Sequence, residues 1–576
     1  MKKKLLALLL ATLMIVSFFA ACTNDTPAVD TPATEAPTVD TPATPGADLE
    51  PTREHVPPPE GDWMTPFDRP VKILAAAEQG LNWFFQDGDD INNNPWTRLY
   101  AEYLNVHVEF EWTTTVDEIE TRLNLAIAAG NLPDVFHIPR TADPRLFHEL
   151  QSQGMLLDLT DAYRNYASQR IRDHELVDPY TIQGFTVDGR IYGIPRYYYG
   201  QIDQPWHMWF RKDWYEAAGS PEIRTVADLE NLMRTFMNDF GASYGIAVDS
   251  DLEWLFRTAP MFGAYIGNIH NNEYFWRADE TGRLRPGIAF PEFLVALEYW
   301  QNWFAEGFIS PDFMTMDPWG RGQEDIVNGL VGVQCWWQWW GWANGPSIVG
   351  LQNNDAYFIP FNLPTLDGST PARGQIFFPN TGVTVASANF QNPAALMKVI
   401  SLVDHYVFSA DTPMTPADID YFMGEGREHA MTQIFQIIDP HADLTQFQYV
   451  LRALETGDDS ELFTGGMMSK FRESRAWLDE QDPHGLGAFL QMGFAGSAYA
   501  RSQHLFDHGH IVQTALWTTS LPEFAAAGNT GDLIMEEVMQ IIVGNQPVEH
   551  FLTVLEQWYA QGGQIKEDAV NLHFGG

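Results

Sequence analysis

Val71-Lys72-Ile73-Leu74-Ala75-Ala76-Ala77, an apolar run closed by Glu78, opens the stretch that decides the fold. Such a run suits a strand buried on both faces. Helical spacing follows over Trp96 to Leu104. Val106, Val108, Phe110 and Trp112 then alternate with His107, Glu109 and Glu111, the period of a half-buried strand. Helical spacing returns over Ile119 to Ala129, and Pro133-Asp134-Val135-Phe136-His137-Ile138 predicts another short strand. This alternation implies crossover units, a largely parallel sheet and an α/β fold. In open sheets of this kind ligands bind beyond the carboxyl ends of strands. Attention therefore falls on Glu78 through Trp96 and on His137 through Thr141.

Outward from this stretch, composition limits the function. Of 576 residues, 45% are hydrophobic, enough for a sizeable core, and 76 acids against 33 bases give a net charge of −43. Such a surface repels phosphate backbones, which argues against nucleic-acid partners, and it hinders self-association, which favours a monomer. Near the C-terminus Phe551, Val554, Leu555, Trp558 and Tyr559 form one apolar helical stripe, with Gly562-Gly563 expected to stop the helix. Core packing accounts for that stripe.

The N-terminus reads as an export address. Met1-Lys2-Lys3-Lys4 is basic, Leu5 to Ala21 is apolar apart from Thr12 and Ser17, and Phe19-Ala20-Ala21-Cys22 follows. The run is short for a membrane span and suits a signal peptide over 1–21. Small residues before a cysteine resemble the lipobox of bacterial lipoproteins, which implies a diacylglyceryl group on Cys22. Residues 22–64 are rich in Thr, Pro, Ala and acids, a composition that blocks helix and ladder and predicts an extended tether. The other cysteine, Cys335, reads as a small buried hydrophobe.

Several motifs together resemble the extracellular solute-binding proteins of family 1, in particular the large sugar-binding lipoproteins of ABC importers. They are Gly130-Asn131-Leu132-Pro133-Asp134-Val135, Gly154-Met155-Leu156-Leu157-Asp158-Leu159-Thr160, Asp188-Gly189-Arg190-Ile191-Tyr192-Gly193-Ile194-Pro195, Arg211-Lys212-Asp213-Trp214, Asn328-Gly329-Leu330-Val331-Gly332-Val333 and the tail from Ile541 to Gly563. Their order and spacing carry the resemblance. It implies a two-lobe fold of the type II periplasmic-binding-protein kind, with a multi-strand hinge. The implied lobes are 65–200 with 375–440, and 201–374 with 441–576. It further implies capture of an oligosaccharide or related solute, delivery to ABC permease subunits, and lipid anchoring on the extracytoplasmic face of the cell membrane. No catalytic residue, cofactor or metal is implied. The calcium loop of many family members is reduced here to Asn238-Asp239-Phe240-Gly241-Ala242-Ser243-Tyr244-Gly245, too poor in carboxylates for tight calcium binding.

Trp336, Trp337, Gln338, Trp339, Trp340 and Trp342 form the densest candidate site. A flat indole covers the apolar face of a sugar ring while an amide bonds the hydroxyl edge. About 80 Å² hidden per stacked ring contributes roughly 2 kcal/mol. From this run Trp336, Trp337, Gln338 and Trp340 are the expected contacts. Glu78, Trp83, Asp90 and Asn94 follow the first strand, His137 follows the third, and Tyr197, Trp206 and Trp209 fall at the implied hinge. Each of these also has a plain packing role open to it.

Other chemistry is weaker. Gly241-Ala242-Ser243-Tyr244-Gly245 matches the nucleophile-elbow pattern, without locatable partners. His504, Asp507, His508 and His510 read as a polar loop, and no phosphate loop or dinucleotide fingerprint appears. The rival functions are an extracellular glycoside hydrolase, which needs two carboxylates flanking the scissile bond, and a sensor that presents its ligand to a signalling partner. A peptide remains open as the solute.

Overall fold

The structure is a computed structural model describing residues 49–78, 85, 88–115, 118–139, 146–177, 182–197, 205–269, 273–317, 320–341, 348–349, 352–376, 380–408, 435, 437, 441–516 and 521–575. Val71–Glu78 forms strand β1, Pro95–Leu104 helix α1, Val106–Thr114 β2, Ile119–Ala129 α2 and Val135–Pro139 β3. Asn94 caps α1, with Pro95 in its first turn, and Asn105 ends it in the left-handed region at φ 57°. β1 pairs in parallel with β2 and β3, Val71 facing Val106 and Ala75 facing Val135. Parallel pairing requires a crossover, and α1 and α2 supply it. Burial along β2 follows the alternation read from the sequence: Val106, Val108 and Phe110 are buried, and Glu109 and Glu111 are exposed.

Two later strands complete this sheet in the order β2-β1-β3-β9-β4. β4 is Gly193–Tyr197; β9 is Asn380–Ala386, far along the chain and antiparallel to both neighbours. Gly382 in β9 has φ 138°, and a Cβ there would come within 2.3 Å of His137 Cε1, so both conformation and space demand glycine. Helix α5 (Pro393–Phe408) closes the core, with Leu396, Met397, Ile400 and Val403 joining Val71, Ile73, Leu99 and Tyr100.

A second sheet, in a part of the chain where the sequence predicted no pairing, is antiparallel throughout. β5 (His207–Arg211) lies between β6 (Val333–Trp336) and β7 (Phe358–Phe361). Alternation divides its side chains: Met208, Phe210, Val333 and Cys335 enter one core, Trp209 and Trp336 another.

The chain therefore leaves the first sheet after Tyr197, builds the second, and returns at Asn380. After α5 it leaves again for α6 (Ala442–Thr456), α7 (Gly465–Glu480) and α8 (Ala498–Asp507). Trp477 and Ala498 pack into the core that holds Trp209. A short parallel ladder joins β8 (Gly374–Ile376) to β10 (Ile511–Gln513). Gly374 abuts Pro205, whose Cβ would lie 2.5 Å from an added Cβ.

Two local expectations need correction. His504 and Asp507 belong to helix α8 and His508 is its C-cap, because Ser497 caps that helix early and its ladder runs on. Gly562-Gly563 does not end the C-terminal helix. It kinks there, with Gly562 at φ 130°, between α9 (His550–Trp558) and α10 (Gln564–Phe574).

Candidate ligand site

Strand register fixes where the site residues gather. In the first sheet Gly382 faces Pro139 and Asn380 faces Tyr197, so the carboxyl ends of β3 and β4 share an end with the start of β9. In the second sheet Trp336 faces His207 and Phe361 faces Met208. The carboxyl ends of β6 and β7 thus lie beside the start of β5. In each sheet, then, the chain crosses at one end, and the tryptophan run leaves β6 at that end.

The run divides by burial. Trp336 and Trp340 are buried, while Trp337 and Trp339 are half-buried and stack, centroids 6.0 Å apart and planes 15° apart. Trp340 packs on Trp209 at 5.6 Å and on Phe358 at 4.6 Å. The ring of Trp254 meets Trp336 edge-on at 5.1 Å. Above the run lies Arg257, its guanidinium carbon 3.9 Å from the centroids of both Trp336 and Trp337.

Polar groups surround these rings. Arg257 Nη2 donates to Glu253 Oε1 at 2.6 Å, while its Nε and Nη1 are buried and unbonded. Asp249 Oδ1 accepts the Trp254 N–H at 2.9 Å, and Oδ2 is buried and unbonded. Burial raises the Asp249 carboxyl to about 7, against the pull of the Trp254 N–H and the Arg257 charge. Gln338 Nε2 donates to the Tyr499 hydroxyl at 3.0 Å, which donates to Asp443 Oδ2 at 2.6 Å, tying the run to α8 and α6. The indole N–H groups of Trp209, Trp254 and Trp340, and both amide atoms of Gln334, are buried and unbonded. Together these groups offer flat apolar faces with donors and acceptors at their edges.

Reactive groups nearby are subdued. Burial pushes the Cys335 thiol up to about 12. Burial, then the charge of Arg501, pushes His207 down to about 3. His207 Nε2 lies 3.1 Å from Ser502 Oγ, both residues being buried. Ser243 sits in an exposed bend, its N–H bonded to Leu330 O. Among the described residues no group of three or more His, Cys, Asp or Glu side chains converges on a metal position.

The remaining candidates are scattered in role. Asn94 accepts the N–H groups of Trp96 and Thr97 and donates to the carbonyls of Asp90 and Ile91, so the cap occupies its amide. Asp90 is exposed and accepts from Asn92 and Asn93. His137 is buried under Gly382, and Trp206 is buried in the core with Met208. Cys22 and Trp83 lie outside the described residues, as do the side chains of Glu78 and Tyr197.

Arg257, Asp249 and Gln334 escaped sequence reasoning. A signal existed for Arg257: it is a lone cation between the apolar runs Trp254-Leu255-Phe256 and Ala259-Pro260-Met261-Phe262. Charges in such runs are buried with partners.

No protein-family model matches the chain. It is 24% identical over 240 residues to the polygalacturonan/rhamnogalacturonan-binding protein YtcQ of Bacillus subtilis, covering 40% of this chain and 44% of that one. It is 22% identical over 328 residues to lipoprotein LipO of the same organism, covering 54% and 60%. The chain thus spans about half the length of these curated relatives. Among solved structures it resembles an HMO-binding, ABC-transporter-associated solute-binding protein of Bifidobacterium longum infantis. The TM-score is 0.61 at 14% identity, over 89% of this chain and 100% of the other. Alginate-binding protein AlgQ2, without calcium ion, gives 0.55 at 16% over 89% and 100%. Streptococcus pneumoniae FusA with kestose gives 0.55 at 14% over 87% and 99%. The fold is the two-lobe, type II fold of periplasmic binding proteins.

Proposed function

We propose that this chain, which has the fold of the extracellular solute-binding proteins, captures an oligosaccharide between two lobes for an ABC importer, without turning it over. The lobes are 65–200 with 375–440 and 201–374 with 441–576, and the chain crosses between them after Pro195 and again near Gly374 to Val385. Cys22, lipid-modified after removal of 1–21, anchors the chain through the Thr/Pro-rich tether, whose expected end at 64 is too late: Val56 is buried in the first core, Arg53 pairs with Asp134 at 2.7 Å and Lys398 holds the Asp62 carbonyl at 2.8 Å. The observation that carries the reading is the stacked, half-buried Trp337–Trp339 pair at the crossing end of the second sheet. Half-exposed indoles gathered at that end of the sheet are costly unless something covers them. The names of the relatives, a polygalacturonan/rhamnogalacturonan binder among them, support a saccharide. Ligand favours the closed state because only there do both lobes touch it.

A thermal-shift panel of oligosaccharides, peptides and polyamines tests this. Ligand at 100 times its dissociation constant adds about 2.7 kcal/mol of stability. Silence across the panel removes the reading. Saccharide cleavage in the same tubes points instead to a hydrolase.

A further inference from the structure

Arg257 follows a short helical turn, Glu253–Phe256, and is 1% exposed. The faces of Trp336 and Trp337, each 3.9 Å away, hold its planar group and leave its edges for hydrogen bonding. Glu253 takes one hydrogen bond, from Nη2, while the Nε and Nη1 donors are buried and unmet. The Glu253 side chain is 31% exposed, so water reaches the mouth of the cluster and screens that carboxylate. The charge of Arg257 also reaches Asp249, where burial keeps the carboxyl partly protonated at neutral pH.

A buried cation is thus left with open donors and a charge only partly offset. Protein interiors do not leave such groups unanswered without a reason. A sugar hydroxyl meets the donors; a carboxylate meets donors and charge together, through stronger charge-assisted bonds. The net charge of −43 sharpens the point. The chain as a whole repels anions, so an acidic ligand needs a concentrated buried cation at the contact itself.

We propose that Arg257, held between Trp336 and Trp337, receives the carboxylate of an acidic sugar, making the ligand a uronate-containing oligosaccharide. This rests on the oligosaccharide reading and narrows it. Trp337 keeps two tasks: one face braces Arg257, and its exposed part meets the sugar.

The test is calorimetric titration of the full chain with oligo-galacturonate, oligo-mannuronate and oligo-glucuronate. Each is run beside its methyl ester, with neutral galacto- and gluco-oligosaccharides as controls. At least one acid is expected to bind ten times tighter than its ester or more. Arg257→Gln is expected to abolish that difference, with Arg257→Lys intermediate. The acid–ester comparison uses the unaltered chain, so it stands even if a variant fails to fold. Equal binding of acid and ester, or a preference that survives in folded Arg257→Gln, overturns the assignment. Binding of neutral sugars alone overturns it and leaves the oligosaccharide reading intact. Binding of no saccharide overturns both.

Discussion

Trp336, the last residue of β6, lies directly opposite His207, the first residue of β5. β5 begins where the chain arrives from the first sheet. The pairing therefore sets the tryptophan run beside the crossing, and everything inferred about the site follows from it.

Trp337 and Trp340 should separate binding from folding. Trp337 is half-buried, so Trp337→Ala should weaken oligosaccharide affinity about tenfold or more, from roughly 2 kcal/mol of lost stacking, with little change in melting temperature. Trp340 is fully buried against Trp209 and Phe358. Trp340→Ala should cost about 3–5 kcal/mol of stability by chemical denaturation. Unchanged affinity in Trp337→Ala would remove that residue from the site.

His207 and Asp249 should tilt stability in opposite directions with pH. His207 is held near 3 in the fold, below its unfolded value of 6.5, so between these values the unfolded chain binds the extra proton and stability rises with pH. Asp249 is held near 7, above its unfolded value of 3.8, so there the folded chain binds the extra proton and stability falls with pH. Each slope approaches about 1.4 kcal/mol per pH unit. They oppose between 3.8 and 6.5. Asp249→Asn should expose the rising slope and His207→Gln the falling one. Parallel stability curves for both variants and the parent would contradict this.

Lys398 secures the segment that enters the first core. Its ammonium donates to the carbonyls of Asp62 and Thr65, both at 2.8 Å, and burial lowers it to about 8. Lys398→Met leaves those carbonyls unmet, at about 1–3 kcal/mol. Limited proteolysis should then cut near 60–66 faster than in the parent.

Gly382→Ala should destabilise the chain by about 2 kcal/mol or more, since strained backbone and a clash with His137 add together. Gly130→Ala, at φ 64° with open space around it, should cost less. A melt comparing the two separates clash from strain.

The first sheet was legible because its strands carry strong local patterns. Val71 to Ala77 is apolar but for Lys72, Val106 to Trp112 alternates, and the helices between have clear spacing. The second sheet was less so: His207–Arg211 and Val333–Trp336 are short, and both their faces are buried, which erases alternation. Ile511–Gln513 is too short to carry any pattern, and only tertiary pairing with Gly374–Ile376 defines it. At the site, the tryptophans announced themselves by density. Arg257 and Asp249 did not, because what singles them out is particular buried atoms, Arg257 Nε and Nη1 and Asp249 Oδ2, left unbonded in three dimensions.

Small-angle scattering of the chain, with and without a saturating oligosaccharide, most directly tests capture between closing lobes. The account predicts a smaller radius of gyration with sugar bound, and the sugar recovered whole afterwards. An unchanged radius at proven saturation, or a cleaved sugar, would contradict it.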